Sequence, residues 1–414
     1  MRENEGAVMR SILLLLLSAL LFTSCGDPKQ EGNGMSFKED VEFLKKYTSI
    51  EILSDASGQS QIVVCPDLQG RVMTSSASGP AGKSFGWINY SFFEAGENNP
   101  HFNPYGGEER IWLGPEGGQF SVYFKKGDPF DLDHWYTPKA FNEDAFSIVE
   151  KSDSFIRFRK AAKVKNYSGT DFDIEVNRIV RLLTVESAAD FLNTSLANDL
   201  HVVAYQTENS IKNTGEKEWT KETGLLSIWI LGMFNPSPST TIVVPFKAGP
   251  EEELGPIVND VYFGKVPADR LKIQDNLLFF SADGTYRSKI GISPQRCVPF
   301  AGSYDADNKV LTIVNFSFDE NVTDYVNSLW EIQDKPFAGD VLNSYNDGPP
   351  APGAKPMGPF YEIESSSAAA ALKPGEANNH VHTTIHIQGD EAKLDVIAKK
   401  IFGAGLEEMK NAFK

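Results

Sequence analysis

The stretch HFNPYGGEERIWLGPEGG, residues 101–118, concentrates side chains that could do chemistry in one short segment. Its glycines and prolines disfavour both a helix and a buried strand, so it is predicted to be a loop between strands. Glycine-rich loops allow polar groups to approach a ligand closely. The candidate residues in this loop are His101, Glu108, Glu109, Arg110, Trp112 and Glu116.

Flat rings beside polar groups suit the two sides of a sugar ring. The loop is therefore predicted to form one wall of a carbohydrate-binding cleft. A purely structural loop is the alternative. In that case Trp112 fills a core pocket, and the pairs that Arg110 forms with the glutamates hold the loop in place.

Two further glutamates, Glu362 and Glu364, stand two residues apart in the strand-like segment PFYEIES. This spacing puts both carboxylates on one face of a strand. Two like charges at such a distance raise the pKa of one of them, which is useful for acid–base catalysis. Solvated strand residues are the alternative interpretation.

Two other clusters could bind a metal ion. HVHTTIHIQG places His380, His382 and His386 at even spacing, so a straight strand would direct all three to one face, where zinc or iron could bind with a further ligand. GDVLNSYNDGPP supplies Asp340 and other oxygen-bearing side chains that could line a sugar site or bind calcium. Cleft-lining histidines and a plain turn are the alternatives, so no cofactor is certain.

The elements that position these residues are predicted to be strands. DFDIEVN alternates Phe172, Ile174 and Val176 with polar residues, and many other segments repeat this period-two pattern between turn residues. Helical patterns are confined to the ends, around KEDVEFLKKY and DEAKLDVIAKKIFGAGLEEMKNAF. We therefore expect an all-β fold, a large antiparallel β-sandwich with short terminal helices, as one domain over residues 38–414.

Charge and motifs exclude several classes of function. A formal net charge of −17 argues against nucleic acid and anionic lipid surfaces as partners. No Gly-x-Ser-x-Gly, Walker loop, dinucleotide fingerprint or His-Glu-x-x-His motif is present. The basic segment GTYRSKIGISPQR offers Arg287, Lys289 and Arg296 to an anionic substrate, or neutralises acidic neighbours.

The segment SILLLLLSALLFTSC near the start of the chain predicts export. Its apolar run is too short for a hydrocarbon core of about 30 Å. The ending Leu-Phe-Thr-Ser-Cys resembles a bacterial lipobox, which implies a signal peptide over residues 1–24, lipidation of Cys25 and a flexible tether over residues 25–37. We expect a protein anchored by lipid in the bacterial cell envelope, in the periplasm or at the outer-membrane surface. An ordinary signal peptide is the alternative.

Two cysteines, Cys65 and Cys297, remain beyond the lipobox. Two cysteines make no disulfide framework, and the sequence leaves open whether they pair.

Three segments follow one another in a recognisable order: PDLQGRVMTS at 66–75, YGGEERIWLGPEGG at 105–118 and EIESSSAAAALKPGE at 362–376. This order resembles the galactose-mutarotase-like superfamily. More narrowly, the chain resembles, over nearly its whole length, a family of uncharacterised bacterial lipoproteins that carry NPYGGEDRFWLGPEGGQFS and NSYNDGP segments. The resemblance implies a supersandwich with a sugar-sized cleft on one face.

The resemblance also implies a mechanism. In the superfamily a glutamate takes the proton of the anomeric hydroxyl and a histidine donates a proton to the ring oxygen. Glu364 matches the position of this base best, and Glu362 is the alternate. Leu231 stands where a histidine of the superfamily would be. The candidate replacements for the acid are His101, His382 and Arg110.

The predicted function is that of an exported lipoprotein that binds or processes carbohydrate, as an aldose 1-epimerase-like enzyme with Glu364 as base. A non-catalytic carbohydrate-binding lipoprotein and a glycoside-cleaving enzyme are the alternatives. The predicted substrate-binding residues are Arg71, Glu108, Glu109, Arg110, Trp112, Glu116, Asp340 and His382.

Overall fold

The computed structural model describes residues 35–414. The predicted signal peptide, the lipidation of Cys25 and the tether up to residue 34 lie outside the described residues. Helix α1 begins at Phe37, one residue before the predicted domain boundary at residue 38.

The described residues form 18 strands. They are β1 (Glu51–Ser54), β2 (Gln61–Cys65), β3 (Arg71–Ser76), β4 (Arg110–Gly114), β5 (Ser147–Lys151), β6 (Phe155–Lys165), β7 (Asp171–Leu183), β8 (His201–Asn213), β9 (Ser227–Phe234), β10 (Thr240–Pro245), β11 (Leu271–Gln274), β12 (Leu277–Ser281), β13 (Ser288–Ile292), β14 (Phe300–Asp305), β15 (Val310–Phe316), β16 (Leu342–Asn346), β17 (Tyr361–Ser366) and β18 (Ala377–Gln388).

These strands form three sheets, in which every pairing is antiparallel. The largest sheet has ten strands in the order β11-β12-β10-β14-β15-β18-β8-β7-β6-β5. The second has five strands in the order β13-β16-β17-β9-β4, and the third is β1-β2-β3. The prediction of an all-β, antiparallel architecture is confirmed.

Strand alternation explains how the two larger sheets pack as a sandwich. On β17, Tyr361 and Ile363 face the ten-stranded sheet, where they share one core cluster with Ile242 and Val314. Full burial of a side chain such as Ile363 is worth about 1.5–3 kcal/mol. The residues between them, Glu362 and Glu364, lie on the opposite face of the five-stranded sheet. One strand therefore serves both the core and the site described below.

Helices α6 (Glu391–Phe402) and α7 (Leu406–Asn411) cover the outer face of the ten-stranded sheet and pack against β14 and β18 in a second cluster. Asp390 begins α6 by accepting hydrogen bonds from two backbone N–H groups, and Gly403 ends it in the left-handed conformation. Helix α1 (Phe37–Leu44) begins with a capping box formed by Ser36 and Glu39. These three helices are the predicted terminal ones.

Four short helices were not predicted. They are α2 (Tyr90–Ala95), α3 (Lys139–Asn142), α4 (Val185–Phe191) and α5 (Glu251–Leu254). Helices of four to seven residues are too short to show a 3.6-residue period, and tertiary contacts stabilise them. Within residues 35–414, no helix has both the length and the apolar character needed to cross a membrane.

Cys65 and Cys297 are both free and buried. They lie in different core clusters, so the pairing left open by the sequence does not form. Burial raises the pKa of both thiols, that of Cys297 to about 12.

Candidate functional site

A cavity of about 470 Å³ lies on the face of the five-stranded sheet that points away from the ten-stranded sheet. This volume is within the range of about 300–1,000 Å³ that is usual for small-molecule sites. Alternate residues of all five strands form its floor. These floor residues are Arg110, Trp112, Trp229, Leu231, Met233, Lys289, Asn343, Tyr345, Glu362 and Ser366.

Two crossed ion pairs hold the charged residues of the floor. In the strand register, Glu364 is aligned with Arg110 through Leu231 on the strand between them. Glu362 is aligned with Lys289 through Tyr345 in the same way. Each carboxylate pairs with the cation that is aligned with the other one. Each ion pair spans one intervening strand, β9 or β16, which the long side chains of arginine and lysine can bridge. Arg110 Nη2 is 3.2 Å from Glu362 Oε1, and Lys289 Nζ is 2.9 Å from Glu364 Oε2.

Arg110 is fixed by stacking and keeps donors free. Its Cζ lies 4.3 Å from the ring centroid of Trp112 and 5.0 Å from that of Phe102, which are cation–π distances. Its Nε and Nη1 have no hydrogen-bond partner among the described residues. An arginine that lines a cavity with unused N–H groups is prepared to bind a polar ligand.

Of the two glutamates on β17, Glu362 is the one that lines the cavity. Burial raises its pKa to about 8, although Arg110 opposes the shift, and the neighbouring Glu364 adds to it. A carboxyl group with this pKa exchanges its proton near neutral pH and can act as an acid or a base.

Glu364 lies beneath the cavity floor. It is fully buried, it does not line the cavity, and its Oε2 accepts hydrogen bonds of 2.9 Å from both Trp229 Nε1 and Lys289 Nζ. The sequence favoured Glu364 over Glu362 as the base, but in the structure Glu362 lines the cavity, whereas Trp229 and Lys289 hold Glu364 below it. Both carboxyl groups do lie on one face of β17, as their spacing predicted.

Glu116 and Lys289 are two further charged residues that line the cavity. Burial, reinforced by Glu364 and opposed by Lys289, raises the pKa of Glu116 to about 7. Burial lowers the pKa of Lys289, but the negative charges of Glu364, Glu116 and Glu362 raise it by more, so that the pKa lies above its usual value. Lys289 therefore stays charged and neutralises the carboxylates. The sequence indicated its charge but not these partners.

Four of the six tryptophans line the cavity: Trp112 and Trp229 on its floor, and Trp135 and Trp330 on its wall. Trp112 meets Trp229 edge to face at 5.6 Å, and Trp135 stacks on Trp330 at 6.1 Å. Sequence reasoning identified Trp112 and missed the other three. Trp135 and Trp330 belong to irregular segments with no pattern that would assign them to the site.

Four predicted substrate-binding residues do not line the cavity: Arg71, Glu108 and Glu109, which are described here, and His382, which is described below. Arg71 donates to the carbonyl of Gly106 and to Gln69, and it is 2% exposed. Glu108 accepts from Ser75 and lies 2.8 Å from His386, and Glu109 pairs with Arg178 at 2.9 Å. Both glutamates are fully buried. Each of the three therefore has an internal partner, and the prediction that they form the cleft is corrected.

The glycines of the YGGEER segment explain this arrangement. Gly107 has φ +116°, and a Cβ there would collide with the side chain of Arg71. Gly106 has φ +88°, and a Cβ there would collide with the carbonyl of Trp87. The two glycines allow a close turn over Arg71 before Arg110 begins β4.

The histidines also lie elsewhere. The ring of His101 stacks on Tyr136 at 4.2 Å, its Nδ1 is 2.7 Å from the carbonyl oxygen of Trp135, and it does not line the cavity. His380 and His382 share the hydroxyl of Ser365, between the two large sheets. Burial lowers the pKa of both, that of His380 to about 3. Neither His101 nor His382, both predicted as candidate acids, lines this cavity.

Asp340 does line the cavity, where its Oδ2 accepts from Tyr262 at 2.6 Å and from Asn259 at 3.2 Å. Asn346 and Asp347 instead bond to other partners. Across residues 35–414, no group of three or more His, Cys, Asp or Glu residues is arranged to hold a metal ion.

Together, the fold and the cavity define an antiparallel β-sandwich protein with a pocket lined by charged residues and tryptophans. Residues 35–413 match the model of a family of unknown function (DUF6786), and the chain belongs to this family. A search of the curated proteins finds no match.

Several solved structures are similar to the chain. One is a candidate aldose 1-epimerase from Escherichia coli K12, with 13% identity and a TM-score of 0.47 over 82% of this chain and 99% of that chain. Another is a galactose mutarotase-like protein from Lactobacillus casei ATCC 334, with 10% identity and a TM-score of 0.44 over 82% of this chain and 100% of that chain. A third, a galactose mutarotase related enzyme from Lactobacillus acidophilus, has 11% identity and a TM-score of 0.43 over 82% and 97%.

Proposed function

We propose that the protein binds a reducing sugar in this cavity and exchanges its anomers, with Glu362 as the acid–base residue. The observation that carries the proposal is the position of the Glu362 carboxyl group. It lies on the floor of a cavity that four tryptophans also line, and it is 3.2 Å from Arg110. Tryptophan faces take the apolar sides of a sugar ring, and charged side chains take its hydroxyl groups.

Exchange of anomers needs two proton transfers. A base takes the proton of the anomeric hydroxyl while an acid protonates the ring oxygen, the bond between the anomeric carbon and the ring oxygen breaks, and the open-chain aldehyde recloses on its other face. Glu362 and Glu116, with pKa values of about 8 and about 7, both hold exchangeable protons near neutral pH. Arg110 would bind a sugar oxygen through its free N–H groups. The Lys289–Glu364 pair keeps the floor close to neutral.

Binding without catalysis is the second candidate, and one observation favours it. Leu231 lines the cavity at the position where the superfamily has a histidine. Among the described residues that line the cavity there is no histidine at all. A pure binding protein would need no such acid.

A proton NMR time course on freshly dissolved pure anomers of hexoses, pentoses and uronic acids separates the two candidates. Accelerated exchange of any sugar supports the enzyme. Line broadening without acceleration supports the binding protein, and sugars unaffected in both respects would contradict both.

We also propose that the protein is exported and anchored by lipid at Cys25, which the lipobox-like segment supports. Metabolic labelling with a fatty-acid analogue should label the protein and not its Cys25→Ser variant. Equal labelling of the two would contradict the anchor.

A further inference from the structure

The mouth of the cavity differs in chemistry from its floor. Leu132, Phe263 and Met357 line it with 60%, 46% and 44% of their surface exposed, whereas Trp229 and Glu362 on the floor are each 6% exposed. The three mouth residues come from separate segments: a 3-10 turn, the loop between α5 and β11, and the loop between β16 and β17. One exposed apolar side chain is ordinary, but three that converge on one cavity indicate a binding surface.

A second sugar ring would match this mouth poorly. Leu132 and Met357 have no flat face on which a sugar could stack. One face of Phe263 is covered by Arg287, whose Cζ lies 3.9 Å from the ring centroid. Flexible aliphatic side chains instead accommodate irregular apolar groups. Asp131 and Arg287 also line this part of the cavity, but the three apolar side chains together offer a site for a hydrocarbon group next to a sugar site.

We propose that the ligand is a reducing sugar with an apolar acyl or aryl substituent, and that Leu132, Phe263 and Met357 bind this substituent. The inference rests on the proposed function and specifies its substrate class. The anomeric hydroxyl has to be free, because proton exchange begins there, so the substituent is attached at another carbon. Charged groups on the floor and apolar groups at the mouth then contact different ends of one amphiphilic molecule.

Calorimetric titration tests this inference with glucose, galactose and mannose and with their 6-O-octanoyl esters. The ester of a sugar that binds should bind at least about tenfold tighter than the sugar itself, since burial of two methylene groups is already worth about this factor. In the double variant Leu132→Ser, Met357→Ser this ratio should fall to about two or less, because the buried apolar contacts are removed. Val149→Ser, which removes a 45% exposed valine on β5, should keep the ratio.

The possible failures are distinguishable. If the parent sugars bind and their esters bind no tighter, the inference is overturned and the proposed function stands. If neither sugars nor esters bind, both are overturned. Methyl octanoate that binds as tightly as the esters would show that the sugar contributes nothing, which also overturns the inference.

Discussion

Strand β17 separates two polar networks of similar composition. On its inner face, Ser365 joins His380 and His382, in the same space between the sheets as the Glu109–Arg178 pair. On its outer face, Glu362 and Glu364 pair with Arg110 and Lys289. By residue type alone, the inner network would be expected to be the catalytic one, because it contains the histidines.

Access distinguishes the two networks. Both contain polar atoms without a partner among the described residues, such as Glu109 Oε2 inside and Arg110 Nη1 outside. The inner residues are buried between the sheets and none of them lines the cavity, whereas Arg110 and Glu362 form its floor. The comparison shows that buried acidic and basic side chains indicate a functional site only where a ligand can reach them. Where no cavity reaches them, as between the sheets, their hydrogen bonds and ion pairs hold the core together.

The inner network should dominate stability. Arg178→Ala leaves Glu109 buried without its cation, and loss of one partner of a buried pair costs about 3–5 kcal/mol. Urea unfolding should show this loss. The control is Lys163→Ala, which removes an exposed pair with Asp173 on neighbouring strands and should change the free energy of unfolding by less than about 1 kcal/mol. Equal effects of the two substitutions would contradict the distinction between the networks.

The two networks should respond to pH in opposite directions. Burial lowers the pKa of His380 from 6.5 to about 3, so the folded protein binds fewer protons than the unfolded chain between these values. The contribution of His380 to the free energy of unfolding is therefore complete above about pH 6.5. As the pH falls below this value, the free energy of unfolding decreases by up to about 1.4 kcal/mol per pH unit. The pKa of Glu362 is raised from 4.5 to about 8. Its contribution is full below pH 4.5 and is lost as the pH rises through about 8.

Urea unfolding from about pH 4 to about pH 9 measures both slopes. His380→Asn should flatten the acid side of the stability profile, and Glu362→Gln should flatten the alkaline side. Profiles of both variants that run parallel to that of the wild type would show that neither group titrates as described.

A smaller effect is expected at the cavity wall. Trp330 donates a hydrogen bond that lowers the pKa of Glu116. Trp330→Phe keeps a ring on Trp135 but removes this donor, whose net worth is about 0.5–1.5 kcal/mol. The pH profile of anomer exchange should therefore shift upward by up to about one unit. An unshifted profile would remove Glu116 from the proton transfer.

The fold could be predicted from short segments because apolar and polar residues alternate along each strand, and this pattern is visible without knowledge of the neighbouring strands. The period of two in β7 and β17 and the helical pattern of α6 were sufficient to predict the sandwich and its terminal helices. The same alternation predicted that Glu362 and Glu364 share a face.

The site was harder to predict because its partners are distant in the chain. Arg110 and Glu362 are 252 residues apart, and Lys289 and Glu364 are 75 apart. Alternation also cannot tell a face that meets another sheet from a face that borders a cavity. For this reason His382 was selected. Trp330 was missed because it lies in an irregular segment between β15 and β16, where no strand pattern assigns a face.

The most direct test of the account compares Glu362→Gln with Glu364→Gln. The two substitutions are isosteric, lie on one face of one strand and differ in access to the cavity. With both variants folded by circular dichroism, Glu362→Gln should slow anomer exchange by about 100-fold or more while sugar binding persists, and Glu364→Gln should slow it less than about tenfold. Exchange that survives in Glu362→Gln and is lost in Glu364→Gln would contradict the account.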